Sequence, residues 1–230
     1  MKVKLLRYTP APQELVALAG KLCYSPATLD ELAEGIAEHD QTKYLNKLID
    51  MGHLSPIEHA SFTFGIEGVS RAMLAQITRH RLASFSVQSQ RYVVVDGEFE
   101  YVIPPIIKEL GEAAVKTFQA QMKTISEWYA GWIFLLGKEG AEDARFVLPN
   151  AAATQMLVTM NARELMHFFE MRECNRAQWE IRAVADEMMR LAYAAAPELF
   201  SRAGCACMQG KPCPEGKMSC GQPRKAEEVR

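Results

Sequence analysis

The sequence of 230 residues lacks three features that mark special classes of protein. It has no run of about 18 apolar residues, the length needed to cross a membrane. Its first residues lack the apolar segment and cleavage site of a signal peptide. It also lacks a surplus of charge, because 26 Lys and Arg oppose 28 Asp and Glu, a formal net charge of −2. We therefore expect a cytoplasmic protein with no membrane or nucleic-acid partner, in which a local arginine cluster binds any anion.

Neither an internal repeat nor a low-complexity linker interrupts the chain, and 49% of its residues are hydrophobic. Helical and alternating periodicities are interspersed, which predicts one α+β domain over residues 1–200 with a sheet flanked by helices. A capping box is predicted at Thr28 and Glu31. The predicted strands are 3–8, 60–69, 91–95 and 154–160. The predicted helices are 12–22, 29–38, 41–51, 71–81, 106–136, 141–146, 162–171 and 177–195.

Cysteine is scarce until the end of the chain, where composition shifts towards Gly, Pro, Cys and Lys. Four of the six cysteines lie in this predicted tail, residues 201–230, at Cys205, Cys207, Cys213 and Cys220. In a reducing compartment such a cluster is typical of metal binding or free thiols rather than of a disulfide framework. The spacing is not that of two C-x-x-C pairs, so a zinc site and a mobile reduced tail both stay open.

Three short polar segments contain most of the candidate chemistry. The first runs from His53 to His59, just before a predicted strand, and is read either as a solvated Ser-Pro turn or as part of a site. It offers neither an i,i+4 histidine pair on a helix nor a third ligand, so no metal is predicted there.

The second segment, residues 76–92, ends a helix with Arg79-His80-Arg81 and continues into a stretch dense in hydrogen-bond donors. Cations at a helix C-terminus offset the helix dipole, which accounts for the first two arginines but not for the serines, glutamines and Arg91 that follow. Converging guanidinium groups suit a phosphate, so anion binding is the alternative.

The third segment places Arg163, His167 and Arg172 on one helix, with the first two on a shared face. Either the segment is a solvated face with Glu164 and Glu170 as ion-pair partners, or Arg172 projects into a cleft from the helix end. The sequence alone leaves both open.

Together the segments resemble the flavin-dependent thymidylate synthase family. The family hallmark, Arg-His-Arg followed by seven residues and Ser, is met by Arg79-His80-Arg81 and Ser89. Two further stretches agree in order, His53-x-Ser55-Pro56-x-Glu58-His59 upstream and Asn161-Ala162-Arg163 through Arg172 to Asn175-Arg176-Ala177-Gln178-Trp179-Glu180 downstream. The resemblance covers roughly residues 40–195.

This resemblance implies a twisted, mainly antiparallel sheet with flanking helices and a homotetramer whose active sites are shared between subunits. It implies the reductive methylation of dUMP to dTMP, with methylenetetrahydrofolate as one-carbon donor, NADPH as reductant and bound FAD as hydride relay. No Gly-x-Gly-x-x-Gly follows a strand, which fits a flavin held outside a Rossmann cradle.

The resemblance also assigns residues. Positions that match nucleotide-contacting residues are Gln76, Ile77, Thr78, Arg79, Val87, Gln88, Ser89, Gln90, Arg91, Arg145 (from a neighbouring subunit) and Arg172. Positions that match flavin-contacting residues are Ser55, Arg79, His80, Arg81, Val87, Asn161, Ala162, Arg163 and His167. His53 matches a residue near the flavin and folate face.

Arg172 matches the arginine that faces the uracil ring, the predicted catalytic residue. Hydride addition puts negative charge on the pyrimidine imide, and a guanidinium that stays protonated stabilises this charge rather than acting as a base. Three positions depart from relatives: Val87 replaces a glutamate, His167 an asparagine and Arg176 a histidine found in some members. Val87 removes a side-chain hydrogen bond to flavin and nucleotide.

Three alternatives to this interpretation are open. Ser89 as a covalent nucleophile would need an adjacent base, and the sequence places none beside it, so a binding role is predicted. A nucleotide-binding module without catalysis would use the same arginine loop but would lack a flavin. A nucleic-acid-binding protein is disfavoured by the charge balance and by the lack of a basic stripe with interleaved aromatics.

Overall fold

The computed structural model describes residues 1–95 and 97–230. Within them the chain forms ten α-helices and four strands, and the strands make one antiparallel sheet in the order β1-β2-β4-β3. The elements in chain order are β1 (Lys2–Tyr8), α1 (Pro12–Leu22), α2 (Leu29–Ala37), α3 (Thr42–Asp50), β2 (Ser61–Ser70), α4 (Arg71–Ile77), β3 (Ala83–Val87), α5 (Pro105–Glu109), α6 (Glu112–Leu136), α7 (Ala141–Ala144), β4 (Ala153–Asn161), α8 (Ala162–Arg172), α9 (Trp179–Ala195) and α10 (Pro197–Phe200). The predicted α+β class is confirmed.

The chain divides into two compact units. Unit 1 comprises residues 1–2, 66–79 and 86–156, and unit 2 comprises residues 3–65, 80–85 and 157–230. Each unit contains part of the candidate site residues that the sequence predicts.

Local sequence signals account well for the first helices. The capping box before α2 forms as predicted: the Thr28 hydroxyl accepts a hydrogen bond from the Glu31 N–H at 3.4 Å, and the Glu31 carboxylate accepts from the Thr28 N–H at 2.8 Å. Helix α3 ends before Gly52, whose φ of 70° is the left-handed conformation that glycine adopts without strain.

The predicted strand over residues 91–95 is wrong, and the strand lies earlier, at β3. Residues 91–92 form a turn and 93–95 have no regular structure. In β3, Ala83, Phe85 and Val87 are half-buried and the intervening serines are exposed, which is the alternation typical of a strand. The sequence signal is weak because the exposed positions are serines, which are common in loops. The β-branched run at 93–95 instead supplies Val95 to the core of unit 1.

Two predicted helices also end differently. The stretch 106–136 is broken into α5 and α6, because Gly111 between them has a φ of 99°, which is incompatible with helix. The helix predicted to reach Arg81 ends at Ile77, so Arg79, His80 and Arg81 lie beyond it in irregular backbone.

The core of unit 1 is a small aromatic cluster. Phe99, Met122 and Ala152 are buried together, and Tyr101 and Phe118 pack against them. This cluster fixes one face of α6 and leaves much of its opposite face exposed.

Unit 2 is built around a larger group of buried phenylalanines. The rings of Phe62 and Phe169 both pack edge-on against Phe200, with centroids 5.3 and 5.9 Å away, and Phe168 contacts Phe169 at 5.9 Å. These contacts join β2, α8 and α10 around the base of α8. They therefore hold the helix that ends in Arg172.

Residues 201–230 lie against the loop that follows α8. Arg224 binds both oxygens of Asp186 at 2.8 and 3.0 Å and donates to the Glu173 carbonyl at 2.7 Å. The side-chain amide of Asn175 donates to the Gln222 carbonyl, and Arg176 donates to the Met218 carbonyl. The segment is thus folded onto unit 2, unlike the mobile tail that the sequence left open.

No helix among the described residues is long and apolar enough to cross a membrane. No group of three or more His, Cys, Asp or Glu in this part of the chain is arranged to hold a metal ion, although Cys205 and Cys207 bring their sulfurs to 3.3 Å.

Glu173, directly after α8, is fully buried, and neither of its carboxylate oxygens has a hydrogen-bond partner among the described residues. Burial, helped by the nearby charge of Asp186, raises the pKa of this carboxyl to about 8, while Arg224 and Arg230 oppose the shift. The folded chain therefore keeps Glu173 protonated where an unfolded chain would ionise it.

We predict that the free energy of unfolding falls as pH rises from about 4.5 to 8, since the folded state binds the extra proton across this range. The Glu173→Gln variant removes this contribution, on the order of a few kcal/mol, and should melt at least about 4 °C higher than wild type at pH 8.5. Thermal unfolding from pH 5 to 9 measures the effect. Glu187→Gln, at an exposed ion pair with Arg190, is the control. An unchanged pH dependence in Glu173→Gln would contradict the assignment.

Candidate active site

The residues singled out by the sequence fall into two groups, one in each unit. Unit 1 contains the predicted nucleotide contacts other than Arg172, and unit 2 contains Arg172, His53 and, except for Arg79 and Val87, the predicted flavin contacts. The boundary falls inside the Arg-His-Arg hallmark, between Arg79 and His80.

Unit 1 has a cavity of about 400 Å³ lined by three of the predicted nucleotide contacts, Gln88, Ser89 and Gln90. Arg71, at the start of α4, also lines it. Helix α4 begins there because the Ser70 hydroxyl accepts a hydrogen bond from the Met73 N–H at 3.0 Å.

Arg71 is a cation that the sequence analysis missed. Its Nη2 donates to the Gln88 carbonyl at 2.8 Å, but its Nε is buried without a partner among the described residues. Burial and the nearby positive charge of Arg145 lower the pKa of Arg71. A buried, unsatisfied N–H beside a second cation is an arrangement that an anionic group would complete.

Glu142 connects two of the predicted nucleotide-binding arginines, which lie 54 positions apart in the sequence. Its carboxylate pairs with Arg91 Nε at 2.5 Å, and its backbone carbonyl accepts from Arg145 Nε at 3.0 Å. Ser89 lies in the same loop as Arg91, and its hydroxyl accepts a hydrogen bond from the Arg91 N–H at 3.1 Å. Arg71, Arg91 and Arg145 thus lie in one unit, where Glu142 offsets the charge of Arg91 and three glutamates also line the cavity, Glu67, Glu98 and Glu100.

The other predicted nucleotide contacts in unit 1 differ in exposure. Arg79 and Thr78 are exposed, and Gln76 is half-buried with its amide donating to the Ala72 carbonyl at 3.3 Å. Ile77 is fully buried, so its side chain belongs to the core and only its backbone is suited to binding. Val87 is half-buried at the end of β3.

Unit 2 has a separate cavity of about 540 Å³, lined by the predicted flavin contacts Asn161, Arg163 and His167. Asn161 caps α8, with its Oδ1 accepting from the Glu164 N–H at 2.8 Å, and Arg163 pairs with Glu58 at 2.5 Å. Ala162 is buried and forms backbone contact with Ala60. Each of the three cavity-lining side chains carries nitrogen donors, a set that suits the pyrimidine edge and phosphates of a flavin.

The remaining predicted residues of unit 2 lie around this cavity or on the surface. Ser55 and Arg81 are exposed, at a 3-10 turn and in the loop before β3. His53 is half-buried and packs edge-on against Tyr24, and its Nδ1 is buried without a partner among the described residues.

His80 connects a buried carboxylate to the predicted catalytic arginine. Its Nδ1 lies 3.2 Å from Glu164 Oε1, and its Nε2 accepts a hydrogen bond from Arg172 Nε at 3.0 Å. Both Glu164 and His80 are buried. Desolvation lowers the pKa of His80, opposed by its hydrogen bond to Glu164, while Arg172 and His167 lower it further.

Glu164 corrects one sequence interpretation. The sequence leaves open that Glu164 is an ion-pair partner on a solvated helix face, yet only 6% of the residue is exposed. Nothing in the local sequence distinguishes it from exposed Glu170 on the same helix, because its burial depends on where His80 is placed by the fold. Arg71 left no signal either, since an arginine directly after an N-cap serine is common.

The comparisons with known proteins place the chain in a family. The family model described as "Thymidylate synthase complementing protein" matches residues 4–198. The chain is 51% identical over 233 residues to the flavin-dependent thymidylate synthase of Geobacter sulfurreducens, covering all of this chain and 97% of the relative. This chain belongs to the flavin-dependent thymidylate synthase family. The flavin-dependent thymidylate synthase of Clostridium tetani is 46% identical over 242 residues and is covered to 96%.

A solved structure supports the fold of this family member. The UMP/dUMP methylase PolB from Streptomyces cacaoi, bound with 5-Br dUMP, aligns with a TM-score of 0.73 at 24% identity, over 88% of this chain and 95% of that one. At this level of identity the likeness concerns the fold.

We predict that capping by Asn161 stabilises the α8 of this thymidylate synthase family member, independently of any ligand. Asn161→Ala should lower the free energy of unfolding by about 1 kcal/mol, since the Glu164 N–H loses its acceptor. Asn161→Asp keeps an acceptor and should retain most of the stability. Urea unfolding of the ligand-free protein measures both, and equal stability of wild type and Asn161→Ala would contradict the capping role.

Proposed function

We propose that this chain converts dUMP to dTMP by reductive methylation, with methylenetetrahydrofolate as one-carbon donor, NADPH as reductant and FAD as bound cofactor. Membership of the family makes the chain a flavin-dependent thymidylate synthase, an enzyme that transfers a methyl group. The observation that carries the full reaction is the placement of Arg172, the match to the uracil-facing arginine, on a buried His80–Glu164 pair.

The residues that would hold the flavin are those of the unit 2 cavity. Arg163 and His167 offer nitrogen donors, and Asn161 keeps its amide nitrogen for a ligand while its oxygen caps α8. The bound flavin would supply the redox chemistry by relaying a hydride from NADPH. Near this cavity, His53 is proposed to face the flavin and the folate.

Arg172 is the proposed catalytic residue. Its guanidinium stays protonated at working pH, so it binds the pyrimidine imide and stabilises the negative charge that develops there. It moves no proton. Preorganised charge of this kind lowers the barrier because the donor is already oriented before the reaction begins.

The nucleotide is proposed to bind through the loop from Val87 to Arg91 and through Arg145. Arg91 and Ser89 are suited to the phosphate, and Arg145 would reach it from a neighbouring subunit, as the resemblance implies. Arg71 adds an unsatisfied N–H to the same cavity of unit 1. Ser89 is proposed to bind rather than attack, since no base among the described residues forms a hydrogen bond with its hydroxyl.

The homotetramer is proposed on the exposed apolar surface of α6. Trp128, Trp132 and Leu135 are exposed and, at about 100° per residue, share one face of the helix, while Phe134, on another side, keeps 87% of its surface accessible. Exposed apolar side chains on one helix face are typical of a protein interface. The occupant proposed is a second copy of this chain, because shared active sites require copies to meet.

A cytoplasmic location and the absence of membrane or nucleic-acid partners stay predictions. The six cysteines are all free thiols in the structure, which suits a reducing compartment.

We expect the purified protein to bind FAD, to show a flavin absorption band that dUMP perturbs, and to form dTMP with both co-substrates. Arg172→Lys keeps the charge but loses the planar fork, so kcat should fall by about 10²–10³-fold. Arg190→Lys, at an exposed pair with Glu187, is the control and should retain activity. A colourless protein that binds dUMP would instead support the nucleotide-binding module, and unchanged kcat in Arg172→Lys would remove the proposed role.

We predict that the double variant Trp128→Asp/Trp132→Asp dissociates the tetramer, because desolvating a carboxylate at an apolar interface is costly. Light scattering coupled to size exclusion should show smaller species and a loss of dTMP formation. Leu29→Asp, at an exposed apolar residue at the start of α2 in unit 2, serves as control. A double variant that remains tetrameric would place the interface elsewhere.

A further inference from the structure

The arrangement of hydrogen bonds around His80 determines where its proton lies. Arg172 Nε carries a hydrogen and can only donate, so His80 Nε2 must present a lone pair to it at 3.0 Å. A neutral imidazole then carries its single proton on Nδ1, which points at Glu164 Oε1, 3.2 Å away. The carboxylate can only accept, so the hydrogen bonds to Glu164 and Arg172 both require the His80 tautomer with its proton on Nδ1.

Burial favours this tautomer of His80 over the other. Glu164 and His80 are 6% exposed, and an unpaired carboxylate or N–H at this depth would be costly. Phe168 packs edge-on against the imidazole at 4.9 Å between centroids, which restricts rotation of the ring. The ring therefore cannot exchange its two nitrogens without breaking both hydrogen bonds.

We infer that Glu164 is a positioning residue for the proposed reaction: by holding the Nδ1–H tautomer of His80 it keeps Nε2 as an acceptor that orients the guanidinium of Arg172. This inference rests on the proposed function. Glu164 acts through His80, and because it also lines the unit 2 cavity the variants are compared at equal FAD content. Because Nε of Arg172 is anchored, the plane of the guanidinium and the direction of its terminal edge are set before a ligand arrives.

The same geometry predicts how the site responds to acid. Protonation of His80 turns Nε2 into a donor, which removes the acceptor from Arg172 and places two cations in contact. The charged or titratable groups that face the imidazole are Glu164, His167 and Arg172, all on α8. Glu164 favours the protonated ring, while Arg172 and His167 oppose it, so removal of the Glu164 charge should shift the acid loss of activity to lower pH.

Two substitutions separate these effects. Glu164→Gln keeps an oxygen acceptor for Nδ1–H and removes only the charge. Glu164→Leu removes the acceptor, so the proton is free to move to Nε2 and displace the Arg172 hydrogen bond. The matched control is Glu14→Gln, because Glu14 occupies the same third position of α1 but is exposed.

The test combines ¹⁵N NMR of the histidine side chains with steady-state kinetics on the FAD-loaded protein. Wild type and Glu164→Gln should show the His80 proton on Nδ1, and Glu164→Leu should not. For Glu164→Leu, kcat should fall about 10- to 100-fold with little change in the KM for dUMP, since misorientation affects the transition state most. Glu164→Gln should keep kcat within about threefold at pH 8 and lose activity at a lower pH than wild type does.

The possible failures are distinct. A proton on Nε2 of His80 in an active wild-type enzyme, or a Glu164→Leu variant with unchanged kcat, would overturn the positioning role. An unshifted acid limb in Glu164→Gln would also count against it, because a purely structural residue would leave that limb in place. Absence of dTMP formation by the wild-type protein would overturn the proposed function, whatever tautomer the spectra show.

Discussion

A neutral imidazole held between a carboxylate and a guanidinium is the interaction on which the proposed chemistry of unit 2 depends. The hydrogen bonds from His80 to Glu164 and from Arg172 to His80 orient a cation that would otherwise be a long and flexible side chain at a helix end. The surrounding phenylalanines keep water out and fix α8. Orientation is what distinguishes a catalytic guanidinium from an ordinary surface one, because the charge itself is always present.

Unit 1 also depends on arginines, but there the fold has to bring several of them together. Its arginines come from separate parts of the chain, and Glu142 and the Gln88 carbonyl hold three of them in place. The fold thereby gathers arginines that are far apart in the sequence of a nearly neutral chain. Guanidinium groups held in this way are the part of unit 1 proposed to bind the nucleotide phosphate.

The sequence predicted elements whose signals are local. Helix α1, the capping box at Thr28 and the glycine stop after α3 depend on residues within a few positions, and all were predicted. Strand β3 was missed because its serines are exposed and its apolar residues are few, while the valines at 93–95 look more strand-like although only Val95 packs against the core of unit 1. The break at Gly111 depends on one backbone angle that periodicity does not report.

The same difference between local signals and tertiary contacts applies to the candidate site. The resemblance to the family supplied the Arg-His-Arg hallmark and Arg172, because a motif is a local pattern that can be matched from sequence. It did not identify Glu164 or Arg71, whose importance comes from burial next to residues distant in sequence, such as His80 and Arg145. Exposure of a carboxylate is a property of the tertiary fold, which buries Glu164 and leaves Glu170 of the same helix at the surface.

The most direct measurement is a crystal structure of the protein with FAD and dUMP bound. The account predicts that the Arg172 guanidinium lies within hydrogen-bonding distance of the pyrimidine imide while its Nε remains bonded to His80 Nε2. A pyrimidine bound away from Arg172, or an Arg172 that has left His80 in order to reach it, would contradict the account.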